Sequence, residues 1–364
     1  MPFEGKIATE LVGACIFCEQ PGIPLYSGLS DQLFGTPGFW NFLQCEKCGL
    51  VWLNPRPVAA ELSKAYVRYY THQGSNTIHT TRKPLGSLRE KGKKGLYAYV
   101  SDSKALADGW IWMRLGQALS CVPLLRERAY MGTMCLDSAT KGKLLDLGCG
   151  DGRFLALMRA AGWDVTGIDT DLAAVKNARE LGIPVVAGNI ADAAFPEASF
   201  DAVTLSHVIE HVHDPVGLLS ACRRVVKPGG QVVIVTPNIK SFGHKKFGSC
   251  WRGLEPPRHL HIFSLAALHI CCERAGLQLQ MLRTSARSAG LLWEESRAIR
   301  RRTESLPVEH GIGLRIRRVC FNLQEDVRCR VSEEMGGEIV AIARVQNSSF
   351  ATEIMPASTE AFAS

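Results

Sequence analysis

The chain has no stretch free of Asp, Glu, Lys and Arg longer than 14 residues, the two longest being 32–45 and 259–272. A bilayer-spanning helix needs about 18 or more apolar residues, so stable membrane insertion is not expected. A leader of the export type is not expected either. Residues 1–18 carry Glu4 ahead of their single base, Lys6, and no long apolar run, which makes a cytoplasmic setting the expectation. Nor is there the bias of a disordered, collagen-like or coiled-coil chain: 46% of residues are hydrophobic and 21% charged, as in ordinary globular proteins. The thirteen cysteines are odd in number, and without an export signal they point to thiols or metal rather than a disulfide frame. For 364 residues, at roughly 150 per domain, two domains or three small modules are expected.

The formal charge of +7 is not evenly spread. Residues 82–94 hold six bases against Glu90, and residues 283–318 hold nine arginines against four glutamates, so each segment is +5 and the remainder −3. A chain-wide nucleic-acid footprint is thereby excluded. Two local basic stretches remain, which suit solvated faces or contact with phosphate, a lipid head group or RNA.

Four cysteines cluster early, as Cys15-Ile-Phe-Cys18 and Cys45-Glu-Lys-Cys48-Gly49, with 26 residues between the pairs. Two thiolates separated by two residues reach one side of a metal tetrahedron from a tight turn, and Gly49 permits the left-handed backbone of such a knuckle. The pattern is that of a zinc ribbon, and four ligands make a closed, structural Zn2+ site. Leu50-Val-Trp-Leu53 reads as a strand stopped by Asn54-Pro55-Arg56-Pro57.

Residues 60–134 read as helical segments around a Gly-, Lys- and Ser-rich link at 84–95. Trp110, Trp112, Leu115 and Leu119 form an apolar stripe expected to pack against the next domain. At Lys141 the texture changes to alternating strand and helix signals, the pattern of an α/β doubly wound sheet. Leu144-Leu-Asp-Leu147 is a strand that runs into Gly148-Cys-Gly150-Asp-Gly152, and Asp169, 21 residues after Gly148, ends the next strand where an acid can accept from ribose hydroxyls. A dinucleotide fingerprint would want Gly or Ala at Arg153, and a carboxylate at Asp151 would repel a pyrophosphate docked on the helix start. Asp146 and Asp151 suit a cationic ligand instead, such as the ammonium and sulfonium of S-adenosylmethionine.

These residues also carry a resemblance. Leu144-Leu-Asp-Leu-Gly-Cys-Gly-Asp-Gly152, Gly167-Ile-Asp169, Ser199-Phe-Asp-Ala-Val-Thr-Leu-Ser206 and Lys227-Pro-Gly-Gly-Gln-Val-Val-Ile-Val-Thr-Pro237 resemble, in order, the motifs of class I S-adenosylmethionine-dependent methyltransferases. The resemblance covers residues 141 to about 284 and resumes at 337–345, where Glu338-Ile-Val-Ala-Ile-Ala-Arg344 is similar to the family's last, antiparallel strand. It implies a Rossmann-like seven-stranded sheet. It further implies that Asp146, Gly148 and Gly150 line the methionine end, that Asp169 holds the ribose, that Asn189 and Ile190 flank the adenine, and that Ser206 and His207 end the fourth strand beside the cofactor. The expected division is a zinc-ribbon module at 1–60, a helical connector or lid at 61–140, the methyltransferase core at 141–284, a basic helical insertion at 285–335, the last strand at 336–348 and a disordered tail at 349–364.

Methyl transfer from a sulfonium needs alignment and at most one proton removed, so histidines are the candidate catalytic residues. His207, Glu210 and His211 fall on one face if helical, as a base with its carboxylate or as a divalent-metal site like that suggested for ubiquinone-pathway O-methyltransferases with a similar Glu-His pair. Their plainer role is to brace the helix before Asp214-Pro215. His259, in Trp251-Arg-Gly-Leu-Glu-Pro-Pro-Arg-His-Leu-His261, is the first candidate for general base or substrate contact, with Arg258 and Trp251 shaping the pocket. Otherwise it ties down its loop. The insertion is amphipathic around Leu291, Leu292, Trp293 and Ile299, for which packing over the pocket is the expectation and a membrane surface the alternative. A small-molecule methyl acceptor is expected, a nucleotide-linked sugar or a lipid or polysaccharide precursor by resemblance of the zinc-bearing front end. RNA gripped by the ribbon and basic stretches, and a cofactor-binding scaffold without turnover, are the alternatives.

Overall fold

A computed structural model of the chain describes residues 7–66, 84–103, 106–136, 141–307 and 311–346. The tail expected at 349–364 and the bases Arg82 and Lys83 lie outside the described residues. Five short strands come first: β1 (Thr9–Glu10), β2 (Ile23–Leu29), β3 (Trp40–Gln44), β4 (Val51–Leu53) and β5 (Arg56–Pro57). Helices α1 (Pro84–Val100), α2 (Trp110–Ser120) and α3 (Pro123–Gly132) follow. The alternating part runs β6 (Lys143–Leu147), α4 (Arg153–Ala160), β7 (Asp164–Asp169), α5 (Leu172–Glu180), β8 (Val185–Ala187), β9 (Phe200–Ser206), α6 (Pro215–Val225) and β10 (Val226–Pro237). After it come α7 (Phe242–Phe247), β11 (His261–Ile262), α8 (Leu265–Arg274), β12 (Gln278–Ser285), α9 (Ala289–Thr303), α10 (Ile312–Val331) and β13 (Glu338–Arg344).

The main sheet has the order β12-β13-β10-β9-β6-β7-β8. Its strands from β6 to β10 pair in parallel, while β13 inserts antiparallel between β10 and β12. Parallel strands covered on both faces read as near-continuous apolar runs, as Val232 to Val235 do. Successive residues supply opposite faces: Val232 and Ile234 join one buried cluster, Val233 and Val235 the other. Helix starts follow local chemistry. Asp171, Asp214 and Ser264 accept backbone N–H groups of α5, α6 and α8, with Pro215 at the first position of α6.

The ribbon is not a separate bead. Its sheet, β11-β4-β3-β2, takes its outer strand from the catalytic half: His261 pairs with Trp52 and Ile262 with Val51. The boundary expected near residue 60 is therefore crossed by the chain's later part. Trp40, Phe42 and Val51 share a buried cluster with Trp251, Ile262 and Phe321.

Two expectations for the connector are corrected. The Gly- and Lys-rich stretch 84–95 is no link but most of α1, because its glycines serve a crossing: a Cβ on Gly95 would lie 2.1 Å from the carbonyl oxygen of Trp112, and one on Gly116 as close to that of Gly95. Backbones can meet there only without side chains. The apolar stripe of α2 does not pack inward as expected. Of its four residues Trp110 and Leu115 are exposed and Trp112 and Leu119 only half-buried, and the buried positions of this helix are Gly116 and Ser120.

Candidate functional site

Beyond Leu147 the chain turns on Gly148, Gly150 and Gly152, with φ of 64°, 54° and 76°. A Cβ on Gly148 would press against Val208 at 2.6 Å and one on Gly152 against Ala178 at 2.8 Å, whereas Gly150 faces open space. This loop lies at the carboxyl ends of the strands, where the order reverses between β6 and β9, the usual place for a ligand in an open α/β sheet.

Two carboxylates shape it. Asp169, ending β7, accepts the N–H of Gly150 and of Asp171, each at 2.8 Å, so the acid that would meet a ribose also fixes the turn. A carboxylate has about four acceptor sites, leaving capacity for hydroxyls. Burial raises its pKa, against the pull of those backbone donors. Asp146 is buried and accepts from Thr204 Oγ1 at 2.6 Å; burial pushes it up to about 7, and the neighbouring Asp169 adds to the rise. Both would be relieved by a cation, so the donor set fits an ammonium-bearing cofactor. Asp151 does not join them. It is half-exposed and pairs with Arg153 at 2.9 Å, a neutralisation that adjacency in sequence does not reveal. Asn189 binds Asp192 through both its amide nitrogen and oxygen, Ile190 is buried, and Ser206 closes β9.

Next along the edge lies a polar network. His207 adopts φ 56° and places Nδ1 3.1 Å from Glu210 Oε1 and Nε2 3.0 Å from Glu338 Oε1. Its side chain is 41% exposed although both carboxylates are buried. Burial lowers its pKa, but the two carboxylates override this and push it up to about 10, while Glu210 is held down to about 2 against its own burial. His207 is thus an imidazolium at neutral pH, not the free base expected. Glu210 and His211 sit on a single 3-10 turn, Ile209–His211, rather than on a helix. Glu210 Oε2 accepts from Thr236 Oγ1 at 3.0 Å, and His211 Nδ1 lies 2.9 Å from the Tyr66 hydroxyl and 3.0 Å from the Arg258 carbonyl.

His259 is buried, with Nδ1 2.7 Å from the Gly253 carbonyl and Nε2 3.3 Å from Glu255. Burial drives it down to about 4 despite the nearby Glu255. That geometry fits the loop-tying role rather than an accessible base. Glu255 also binds Arg252 and Arg258, and Arg258, wholly buried, reaches Asp31 of the ribbon and lines a small cavity together with Trp251. Ligand atoms of Glu210, His211 and His259 fall within 4.8 Å of one another, close enough to hold a divalent cation. Cys15, Cys18, Cys45 and Cys48 meet the same test, with Cys15 and Cys48 sulfurs 3.6 Å apart, and fit a tetrahedral thiolate site for zinc.

Sequence reasoning missed Glu338, Glu255, Asp31 and Thr204. Glu255 stands inside the 251–261 segment already singled out, so its acid among two arginines and two histidines was a usable signal. Asp31 meets a partner 227 positions away, for which no local pattern exists.

A family model described as a methyltransferase domain matches residues 123–282. The ubiquinone biosynthesis O-methyltransferase of Alkalilimnicola ehrlichii is 40% identical over 146 residues, 38% of this chain and 59% of that protein. Its counterpart in Pseudomonas aeruginosa is 42% identical over 103 residues, 26% and 44% of the two chains, and that in Paraburkholderia phymatum 34% identical over 169 residues, 44% and 68%. The chain thus spans 59% and 44% of the length of the first two relatives, and over two thirds of the third. Sheet order, acidic glycine turn and these likenesses together establish that the chain belongs to the class I S-adenosylmethionine-dependent methyltransferases.

Proposed function

We propose that this chain moves a methyl group from S-adenosylmethionine to a hydroxyl oxygen of a small molecule. The observation that carries the reading is the pair of carboxylates, Asp146 and Asp169, facing a glycine turn that leaves Gly150 open. Such a cradle favours a cationic ligand over a diphosphate. The cofactor supplies an activated methyl, and the chain then has to orient and to handle one proton. Asp169 would hold the ribose, Asn189 and Ile190 the adenine, and Asp146 with Gly148 the methionine end. His207, with both ring nitrogens committed to Glu210 and Glu338 and its side chain still exposed, is suited to line the acceptor site and to hold Glu210 in place. His211 is the candidate to receive the proton; alternatively Glu210, His211 and His259 would together hold a divalent cation, which would supply polarisation of the acceptor oxygen.

The relatives' names support an oxygen acceptor on a small molecule. They lend none to the nucleotide-linked sugar suggested by the zinc-bearing front end. Zinc in the ribbon is a structural ion in this reading. Calorimetric titration with S-adenosylhomocysteine, followed by label transfer from methyl-labelled cofactor to a panel of phenols, amines and sugar nucleotides, tests the proposal. Binding with label on hydroxyl oxygen is expected; no heat and no thermal shift with the cofactor product would overturn it.

A further inference from the structure

Helix α10 carries an apolar face that packing does not use. Ile312, Ile316, Val319, Leu323, Val327 and Val331 are all exposed, while the buried side of the same helix holds Phe321 and Glu325. At about 100° per residue the six fall along one side, and at about 1.5 Å rise they extend over roughly 28 Å. Of the insertion residues expected to pack over the pocket, Trp293 on α9 is buried, Leu292 and Ile299 are half-buried and Leu291 is exposed.

Cations frame the stripe. Helix α10 has five arginines, at 315, 317, 318, 328 and 330, against the buried Glu325 and against Asp326, which pairs with Arg330 at 3.0 Å. Arg318 pairs with Glu294 of α9 at 2.8 Å. Between the two helices opens a cleft of about 620 Å3 that, among the described residues, no carboxylate lines; Lys246, Arg297, Arg300, Arg301 and Arg317 surround it, with Arg300 also 3.8 Å from Glu304. Its floor is Phe247, Trp293 and Phe321, with Arg300 over the ring of Phe247 at 4.9 Å and Lys246 over that of Phe321 at 5.0 Å. The cleft meets α10 at Arg317, Cys320 and Gln324, and Cys320 stands only about 60° round the helix from Leu323. Apolar stripe and anion-seeking cleft are thus neighbours on one surface.

We propose that the α9–α10 hairpin docks on an anionic phospholipid surface, the stripe resting at the acyl boundary and the cleft taking lipid phosphate. An interfacial helix needs an apolar side, a basic border and no capacity to span, and among the described residues no helix is long and apolar enough to cross a membrane. Charge decides against a second copy of the chain as the occupant. Arg315 and Arg317 border the stripe on its two sides, so two such helices joined through it would bring like charges together, whereas anionic head groups carry the opposite sign. This surface goes beyond the methyl-transfer reading and does not depend on it.

Flotation of the full chain with phosphatidylglycerol–phosphatidylcholine vesicles, against phosphatidylcholine vesicles alone, tests it. Salt-sensitive flotation with the anionic vesicles alone is expected. The double variant Ile316→Asp/Leu323→Asp should keep the wild-type thermal transition and lose about tenfold or more in vesicle partitioning, and Arg300→Gln/Arg301→Gln should weaken it and flatten its salt dependence. Equal partitioning to both vesicle types, or none to either, overturns the proposal. So does a dimer in light scattering that Ile316→Asp/Leu323→Asp dissolves without changing flotation. Stabilisation by inorganic phosphate with no flotation would assign the cleft to a soluble anion and overturn it equally.

Discussion

Arg258 Nη1 donates to Asp31 Oδ2 at 2.8 Å, joining the catalytic half to the ribbon through two side chains that are 0% and 2% exposed. The same guanidinium binds Glu255 through Nε at 2.9 Å and reaches the carbonyl of Ala65. Removing one partner of a buried pair strands the other charge, at a cost of about 3–5 kcal/mol. Arg258→Ala is expected to lose stability on that scale, measured by chemical denaturation. A loss within about 1 kcal/mol would show that the pair contributes little.

Ser264 Oγ donates to the Cys48 carbonyl at 2.5 Å and accepts from Ala267, so the cap of α8 rests on a cysteine knuckle. One zinc per chain is expected by elemental analysis, and stripping it, or Cys48→Ser, should lower a single calorimetric transition for the whole chain. Two resolved transitions, or a protein that purifies without metal and melts unchanged on chelation, would refute the coupling.

With Asp146 pushed up to about 7 by burial, the acid is partly protonated near neutrality. Its raised value costs stability that accrues as pH climbs from about 4, its unfolded value, to about 7. A cationic ligand needs the carboxylate, so affinity for S-adenosylhomocysteine is expected to rise between about pH 6 and 8, with protons released on binding. Asp146→Asn should weaken binding about tenfold and flatten the profile. Identical pH curves for the two proteins would rule out this role.

For His207 the sign is opposite. A histidine raised to about 10 contributes stability that is whole below its unfolded value near 6.5 and fades as pH rises through about 10. The gap in Tm between the native chain and His207→Gln is expected to be widest near pH 6 and to close toward pH 10. A gap independent of pH would mean that packing, not charge, holds the residue.

Where information was local, the sequence could be read. The strand at 144–147, its glycine turn and Asp169 each depend on neighbours within a few residues, and the paired C-x-x-C motifs announce themselves by spacing. What escaped depends on distant partners. His207 looked like a base because only one of the two carboxylates that hold its proton, Glu210, is near in sequence, while Glu338 stands 131 residues away. Gly95 looked like a break because the helix it touches begins only at Trp110. The tie of Arg258 to Asp31 has no local sign, since the two stand 227 positions apart.

The strand β11 gives this architecture a consequence for dissection. A polypeptide ending at residue 60 would keep the four cysteines and the β3–β4 pairing yet leave Val51 and Trp52 without their β11 neighbours, and the remainder would carry His261 and Ile262 without the strand they pair with. Neither fragment is then a self-sufficient unit. Produced together, the two pieces should find each other and complement, as halves of a split protein do.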